Sequence, residues 1–483
     1  MSTPNTARNF AVRPFSDPDV VVIGSGPGGL TTAGILSSYG MKVMVLEQHD
    51  TPGGSTHHFK QGTEWVSAGW HYVGWPMKMR SVFKYLTNNQ PVAVDPDVTF
   101  DTYWGVGSMS GNTLEKAMGI KLAHMKRMED SFKFLILVKI LPKPLALIVW
   151  LLFRLTGRRR EGAMNYGEWC KKVTGEKVEK DIWWTQRGDY GVPRSKTCAM
   201  LGAAAAAHYR HGVIHPEGGP RETIMRMVQT ITNNGSCVLL KAPVRNIVTQ
   251  NGKVVGVEVE GVTIPCKKVV VTGAELLHRL MKDRTPRGIH EAVSTLGPSV
   301  AHGAVFLTFT GKTRLDLDMP LGNIWYKEDM FISAKESPTG TVVYILWTMP
   351  YVARGAGYEE AKDNAATEAM NIAQQLFPKL KDYDQFDAAT PATTEFYLNS
   401  WNGSSYGLSA LTERFCDFRM VRNLRPQQDI EGLYLTGQDV CVAGVMGAMV
   451  GGVLCAQAIR YPGISTLWNN VRKDLERLLK KEK

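Results

Sequence analysis

The N-terminal part of the chain carries a pattern of hydrophobic and polar positions that predicts a β-α-β unit. Residues 19–23 are a short β-branched run, which is typical of a strand buried on both faces. A glycine-rich stretch at 24–29 follows directly, and residues 30–39 then repeat apolar side chains at helical spacing until Gly40. A second strand is predicted at residues 42–46, and an acidic residue comes next.

The glycine-rich stretch has the composition that a dinucleotide-binding turn requires. Gly24 permits the tight turn, Gly26 lets the backbone approach a pyrophosphate, and Gly29 lets the helix pack closely on the strand. The start of the helix offers free N–H groups and a positive dipole end. Glu47 stands where a carboxylate accepts both ribose hydroxyls, which disfavours NADP at this site. We therefore predict a Rossmann-type unit.

A second glycine pattern near the C-terminus favours FAD over NAD. Residues 431–439 predict a strand that ends in a turn, and residues 444–459 predict a helix of small side chains. FAD extends well beyond the first β-α-β unit, so a second helix N-terminus against the same cofactor is expected. Simple close packing of glycine-rich surfaces is the alternative. We predict that residues 24–29 and 437–447 converge on one flavin nucleotide.

Length, composition and charge narrow the architecture and the partners. With 483 residues, of which 44% are hydrophobic and 21% charged, we expect two intertwined domains or one cofactor domain with a large insertion. Residues 254–260 and 263–271 alternate like a hairpin, which predicts a small three-stranded layer. The net charge of +11 favours anionic partners. Because the cations around 154–160 and 480–483 lack interleaved aromatics, a lipid surface is favoured over nucleic acid.

The remaining chemistry in the sequence is sparse. Seven cysteines are scattered without the CxxC spacing of a zinc or redox site, so a reducing compartment and no metal are expected. No nucleophile elbow is present. The N-terminal residues lack the apolar core of a secretory signal and predict a short flexible lead-in.

Residues 134–153 are the most apolar part of the chain, but they do not predict a membrane span. Two lysines and two prolines divide the stretch into arms too short for a hydrocarbon core of about 30 Å. Trp150 and a following arginine cluster suit an interfacial hairpin, which we place at residues 131–160. A buried helical hairpin is the alternative. The basic tail 466–483 ends in Lys480-Lys481-Glu482-Lys483, which fits either an endoplasmic reticulum retrieval signal or a solvated helix end.

Taken together, the motifs resemble the phytoene desaturase, carotenoid isomerase and retinol saturase group of flavoproteins, and most closely its retinol saturase branch. The resemblance implies an α/β, glutathione reductase-like flavoprotein fold with an inserted α+β substrate domain. It implies an FAD-binding domain built from 17–100, 213–295 and 420–465, and a substrate domain from 101–212 and 296–419. The matching segments span nearly the whole chain: 19–30, 45–59, 69–74, 215–219, 271–275, 395–408 and 431–448.

The same resemblance assigns cofactor roles. The pyrophosphate is expected at Gly24, Ser25, Gly26 and Gly29, and the adenosine ribose at Glu47. The region leading to the flavin is expected at Gly54 and Ser55, adenine at the Val244 backbone, the ribityl-phosphate arm at Asp439 and the flavin ring at Met446. Gly28, Gln48 and Gly437 complete the predicted set.

The resemblance also implies an FAD-dependent oxidoreductase that saturates a conjugated double bond of a lipophilic polyene, with NAD(P)H as one candidate electron donor. The polyene is a retinoid, a carotenoid or a polyunsaturated lipid. The alternatives are a flavin-dependent isomerase, a carotenoid desaturase and a non-catalytic flavin-binding membrane protein. His71, Tyr72 and Tyr406 are the candidates for proton delivery or substrate positioning. The expected location is a cytosol-facing membrane surface, such as the endoplasmic reticulum, with a plastid membrane as the alternative; oligomeric state is left open.

Overall fold

The computed structural model describes residues 15, 17–71, 73–74, 79–95, 102–104, 122–174, 196–202, 213–320, 322–326 and 330–461. The strands are β1 Val20–Ile23, β2 Val43–Leu46, β3 His58–Gln61, β4 Glu64–Ser67, β5 Val73–Gly74, β6 Val92–Asp95, β7 Thr102–Trp104, β8 Val213–Pro216, β9 Cys237–Leu239, β10 Val244–Gln250, β11 Lys253–Val259, β12 Val262–Pro265, β13 Val269–Val271, β14 His302–Thr310, β15 Asn323–Tyr326, β16 Met330–Ser337, β17 Gly340–Thr348, β18 Gln385–Ala389 and β19 Leu433–Leu435. The α-helices are α1 Pro27–Ser38, α2 Arg80–Leu86, α3 Leu122–Ile140, α4 Lys143–Leu155, α5 Arg158–Gly162, α6 Tyr166–Thr174, α7 Gly219–Asn233, α8 Ala274–Met281, α9 Arg287–Leu296, α10 Tyr358–Leu376, α11 Pro391–Leu398, α12 Thr412–Cys416, α13 Phe418–Asn423 and α14 Val445–Arg460.

A five-stranded parallel sheet, in the order β19-β13-β1-β2-β9, forms the centre of the fold. Its strands read as continuous apolar runs because both faces are covered. Val20 and Val22 face helices α1, α2, α7 and α14, whereas Val21 and Ile23 face α8, α9 and a small sheet on the other side. The sheet draws its strands from separate parts of the chain, so the fold is assembled through long-range pairing.

The small sheet on the second face is antiparallel, with the order β10-β11-β12. It contains the predicted hairpin as β11 and β12, which end at Pro265. Residues 269–271 were expected to continue that hairpin, but they form β13 and pair with β1 and β19 in the central sheet. Their uniform burial suits a central parallel strand better than an edge of the hairpin.

A second, six-stranded sheet lies over the carboxyl ends of the parallel strands. Its order is β18-β14-β17-β16-β15-β7, and all its pairs are antiparallel except β15 with β7. Side chains alternate along β14, so Val305 and Leu307 pack against helix α10 while Ala304 and Phe306 face the interior between the two sheets. This alternation gives the sheet one core face and one face available to a ligand.

Helices α3 and α4 form an antiparallel hairpin from the apolar stretch of the sequence. One side of α4, including Ala146, Trp150 and Phe153, is buried against α3, α12 and α13. The opposite side exposes Leu147, Ile148, Leu151, Leu152 and Leu155. Within the described ranges, no helix is both long and apolar enough to cross a bilayer. The hairpin is therefore half buried and half exposed, between the two arrangements expected from the sequence.

Helices α1 and α14 pack so closely that glycine is required at their contact. A Cβ atom on Gly451 would lie 2.1 Å from the carbonyl oxygen of Gly437, and one on Gly452 would lie 2.6 Å from the carbonyl oxygen of Gly28. Because these obstacles are backbone atoms, the structure cannot make room by rotating a side chain. The contact of α14 with the turn after β19 thus depends on Gly451, and its contact with the start of α1 depends on Gly452.

We expect Gly451→Ala to lower the free energy of unfolding by about 2 kcal/mol through overpacking, although alanine is the better helix former. Denaturant unfolding of the two apoproteins measures the difference. Asn371→Ala, on the exposed side of α10, is the control and should change stability by less than about 0.5 kcal/mol. Equal stability of Gly451→Ala and the parent would contradict the close approach.

Candidate active site

A cavity of about 1240 Å³ lies between the central sheet and the six-stranded sheet. The residues that follow β1, β2, β13 and β19 all line it, including Gly24, Glu47, Gly273 and Gly437. The carboxyl ends of parallel strands are where open α/β sheets bind ligands. The opposite wall comes from the inner face of the six-stranded sheet. The cavity therefore has one wall of backbone turns and one wall of side chains.

The first glycine turn, residues 24–29, and the second glycine turn, residues 437–447, meet in this cavity. A Cβ atom on Gly28 would lie 2.6 Å from the Cα atom of Gly437, so the two backbones are in contact. The hydroxyl groups of Thr32 and Thr436, just beside them, are 2.9 Å apart. The turns predicted to converge do converge, through residues more than 400 positions apart in sequence.

Both turns present helix N-termini to the cavity. Gly26 precedes α1 with φ −64° and ψ 169°, no described side chain caps it, and no described atom lies within 4 Å of where its Cβ would be. Gly444 precedes α14 and has no side-chain cap among the described residues either, while Val445 and Ala448 line the cavity. Uncapped N–H groups and two positive dipole ends make this wall suitable for phosphate and other anionic groups.

Glu47 is buried and tied to the first glycine turn. One carboxylate oxygen accepts hydrogen bonds from the backbone N–H and the hydroxyl of Ser25, at 2.8 and 2.6 Å. The other accepts from the backbone N–H of His49 at 2.9 Å, and the Ser25 hydroxyl in turn accepts from Gly53 N–H at 3.1 Å. A carboxylate has about four acceptor positions. Glu47 therefore keeps capacity for a ribose hydroxyl while it fixes the turn.

The other predicted cofactor residues divide into two groups. The cavity wall includes Ser25, Gly28, Gln48, Gly54, Ser55, Val244, Gly437 and Asp439. Gly29 is not on that wall; a Cβ there would lie 2.2 Å from the Gly24 carbonyl oxygen, so its contribution is close packing. Met446 was expected to face the flavin ring, but its side chain lies in the core between α14 and the central sheet. The helical turn directs Val445 and Gly447 to the cavity in its place.

Asp439 joins the second glycine turn to two other segments. Its carboxylate accepts from the backbone N–H of Ala274 at 2.9 Å and of Leu408 at 3.0 Å. Arg414 lies 3.7 Å away and donates to the carbonyl of Gln438 at 2.6 Å. Asp439 and Arg414 are both almost completely buried, so removing either side chain would leave the other as an uncompensated buried charge. The sequence drew attention to Asp439 but gave no signal for Arg414, which lies in an ordinary amphipathic segment.

The wall from the six-stranded sheet is largely aromatic. Phe306, Trp325 and Phe331 line it, and the rings of Trp325 and Phe331 pack edge to face at 4.9 Å. Tyr406 also lines the cavity, and its ring packs edge to face on that of His302 at 6.0 Å. This wall suits an apolar ligand with few polar groups.

Two of the predicted catalytic residues can be placed. The loop of Tyr406 is held by its N–H, which donates to the Ser299 hydroxyl at 2.9 Å, and by a 2.7 Å hydrogen bond between His302 Nδ1 and the Ser405 hydroxyl. His71 lines the cavity and packs edge to face on Tyr344 with 4.7 Å between ring centres. Tyr72 lies outside the described residues. His302 could not be selected from the sequence alone, because the Ser405 hydroxyl that it contacts belongs to a distant loop.

Two histidines on the cavity wall, His58 and His71, are held uncharged. Burial lowers the pKa of His71 to about 3 and that of His58 to about 4, and nearby cations act in the same direction. Both imidazoles are therefore neutral at physiological pH. Within the described residues, no group of three or more His, Cys, Asp or Glu side chains could hold a metal ion. These histidines can act as hydrogen-bonding groups, but they do not supply a standing positive charge.

Comparison with known families agrees with this geometry. The family model described as FAD dependent oxidoreductase matches residues 19–393. The chain belongs to this family. The α/β flavoprotein fold, the FAD cofactor and the oxidoreductase class predicted from the sequence are thereby confirmed. Four features fit FAD: two helix N-termini without a side-chain cap among the described residues, the close backbone packing at Gly28 and Gly29, the open space beside Gly26, and the buried carboxylate of Glu47.

Several characterised relatives share most of the length of the chain. Human all-trans-retinol 13,14-reductase is 29% identical, over 95% of this chain and 87% of its own length. The Danio rerio protein of the same name is 28% identical over 93% of this chain and 87% of its own. Chloroplastic prolycopene isomerase of Daucus carota is 22% identical over 91% of this chain and 80% of its own length. The retinol saturase and carotenoid isomerase resemblance is confirmed.

Solved structures share the fold at low identity. Putrescine oxidase bound to putrescine has a TM-score of 0.63 and 16% identity, covering 92% of this chain and 99% of that one. Cyclohexylamine oxidase from Brevibacterium oxydans has a TM-score of 0.61 and 15% identity, and the match covers 95% of this chain and 100% of the oxidase chain. These likenesses concern the fold alone.

We expect Gly26→Val to fold normally and to lose FAD. The backbone at Gly26 suits any L-residue, and a side chain there meets no described atom within 4 Å. The valine would instead occupy the approach to the helix N-terminus where a pyrophosphate binds. Flavin absorbance per chain should fall at least tenfold, while the unfolding midpoint of the apoprotein stays unchanged. Full flavin content in this variant would refute the placement of the pyrophosphate.

Proposed function

We propose that the protein is an FAD-dependent reductase that saturates one conjugated double bond of a lipophilic polyene. The observation that carries the proposal is the continuity of the dinucleotide cradle with an aromatic-walled chamber in one cavity. A chamber lined by Phe306, Trp325 and Phe331 can hold a conjugated chain by dispersion and stacking without polar contacts. The names of the retinol reductase and prolycopene isomerase relatives also point to polyenes.

The cofactor roles are part of the proposal. Ser25, Gly26 and Gly28 would hold the pyrophosphate at the start of α1, and Glu47 with Gln48 the adenosine ribose. The Val244 backbone would meet adenine, and Gly54 with Ser55 would lie along the arm leading to the flavin. Asp439 and Gly437 would meet the ribityl-phosphate arm from the second turn. The domain boundaries given by the resemblance, 17–100, 213–295 and 420–465 for FAD and 101–212 and 296–419 for substrate, belong to the same proposal.

Saturation needs a hydride at one carbon and a proton at its neighbour. Reduced FAD supplies hydride chemistry when it is bound, and NAD(P)H is the proposed source of electrons. Tyr406 is the candidate for proton delivery among the described residues, because its loop is fixed by Ser299 and Ser405 at the cavity wall. His71 is neutral and suits a positioning role better than that of a cationic acid. Tyr72 stays a candidate from the sequence.

We propose that the outer side of α4 lies on a membrane surface. Leu147, Ile148, Leu151, Leu152 and Leu155 form one exposed apolar face, and exposed Lys143, Arg154 and Arg160 surround it. This arrangement fits acyl chains below and anionic headgroups around the helix. Arg159 is directed inward, since it donates to the Cys416 carbonyl at 2.8 Å. A cytosol-facing membrane of the endoplasmic reticulum is the proposed location, with a plastid membrane as the alternative.

The hairpin also borders the cavity, which supports access from lipid. Leu201 is buried in the same cluster as Trp150 and Phe153, and it lines the cavity as well. Val442, in the second glycine turn, packs against that cluster and lines the cavity too. Leu201 and Val442 would thus offer a lipophilic substrate apolar contacts between the hairpin and the chamber.

We expect the chemically reduced, FAD-loaded protein to add two hydrogen atoms to a polyene under anaerobic conditions. A panel of retinoids, carotenoids and polyenoic fatty acids, analysed by mass spectrometry and absorption, tests this. A product of unchanged mass with an altered spectrum would instead assign isomerisation, as the prolycopene isomerase relatives suggest. If a flavin-loaded preparation that bleaches with reductant alters no member of the panel, the polyene proposal fails.

We expect the double variant Ile148→Asp with Leu152→Asp to lose vesicle binding. The two side chains are 53% and 49% exposed, and each apolar side chain placed in lipid contributes about 1.5–3 kcal/mol. Co-flotation with vesicles of phosphatidylcholine and phosphatidylserine should fall more than tenfold. Leu315→Asp, at a site 69% exposed elsewhere on the surface, is the matched control. Loss in the control, or retention in the double variant, would count against the lipid-facing helix.

A further inference from the structure

Asn399, at the end of helix α11, connects two sides of the cavity. Its backbone carbonyl and its side-chain oxygen accept hydrogen bonds from Arg279 on α8, at 2.7 and 2.6 Å. Its side-chain amide donates to the side-chain oxygen of Gln48 at 3.2 Å. All three residues line the cavity. These three hydrogen bonds form the Asn399 bridge.

The Asn399 bridge lies at the edge of the cavity nearest the first glycine turn. Gln48 follows β2 and helix α8 follows β13, and these two strands flank β1, which leads into that turn. Gln48 also directly follows Glu47, the buried carboxylate that fixes the turn. Gln48 itself is exposed, so the bridge lies where this part of the cavity meets solvent.

The two ends of the Asn399 bridge differ in strength. At one end the Arg279 guanidinium is oriented by Glu275, whose carboxylate lies 2.5 Å from Nε, and both hydrogen bonds to Asn399 come from a charged donor. At the other end a single hydrogen bond between neutral groups reaches Gln48. A contact between the rings of Tyr397 and His49, with 5.9 Å between ring centres, accompanies it. The bridge should therefore separate first at Gln48, with Asn399 still attached to α8.

We propose that the Asn399 bridge is a gate for the exchange of FAD between the cavity and solvent. Opening breaks the hydrogen bond between Asn399 and Gln48, while Arg279 keeps its hold on Asn399. Because the bridge joins protein groups to each other, closure slows the entry and the release of FAD alike and leaves the affinity unchanged. The inference rests on the proposed position of the cofactor at the first glycine turn and is independent of the substrate.

The test measures the association and dissociation rate constants of FAD by flavin fluorescence, in the parent protein and in Asn399→Gly. Glycine adopts the φ of 53° at this position without strain and keeps the backbone carbonyl that Arg279 binds. Loss of one hydrogen bond between neutral groups should raise both rate constants about fivefold and leave the dissociation constant within about twofold.

Asn251→Gly is the matched control, because Asn251 is an exposed asparagine with a φ of 51° that does not line the cavity. It should change neither rate constant. Equal rates in Asn399→Gly and the parent would overturn the gate. Faster release with unchanged association would overturn it as well, since that result would make Asn399 a direct contact of FAD.

Gln48→Leu removes the other partner of the same hydrogen bond and tests the gate independently of Asn399→Gly. This variant should also raise the association rate constant about fivefold. In its background, Asn399→Gly should change either rate constant by less than about twofold, because the bond is already absent. A full acceleration in that background would show that Asn399 acts by another route, and the gate would be rejected. Polyene reduction is measured separately in the anaerobic panel, so failure of either proposal leaves the other standing.

Discussion

The backbone contact between the first and second glycine turns is the constraint on which the site depends. Gly28 and Gly437 approach so closely that a methyl group on Gly28 would overlap the other backbone. The contact brings to one cavity two helix N-termini that no described side chain caps, which neither helix could provide alone. It also requires that α14, from the C-terminal region, occupy the same face of the sheet as α1. The anion-binding wall is therefore a product of close packing as much as of the glycine motifs themselves.

Buried charged side chains connect the second glycine turn to the hairpin of α3 and α4. Arg414 and Asp439 neutralise each other beneath the second turn, and Lys139 on α3 donates to the Leu424 carbonyl at 3.0 Å. Burial lowers the pKa of Lys139 to about 7. Arg422 holds the end of α3 through the carbonyls of Val138 and Leu141 at 3.0 and 2.9 Å. The segment from α12 to α13 thus connects the cofactor turn to the helices whose outer side is apolar.

The cavity has two chemically different walls, and the division explains how one fold can serve a flavin and an apolar substrate. Backbone N–H groups and helix dipoles form the wall at the central sheet, where anionic groups are stabilised. The inner face of the six-stranded sheet forms the other wall, where the rings of Phe306, Trp325 and Phe331 line the cavity together with the neutral imidazoles of His58 and His71. The hairpin of α3 and α4 borders the same cavity through the apolar side chains of Leu201 and Val442.

The sequence by itself determined the β-α-β unit, the glycine turns, the acid at Glu47, the hairpin of β11 and β12 and the FAD cofactor. These features depend on properties of neighbouring residues in sequence: the periodicity of hydrophobic side chains, the conformational freedom of glycine and the fixed spacing between motif residues. Only the tertiary structure placed residues 269–271 in the central sheet, turned Met446 into the core and paired Arg414 with Asp439. Each of these outcomes is set by contacts between distant segments, and the local pattern of side chains is compatible with more than one such contact.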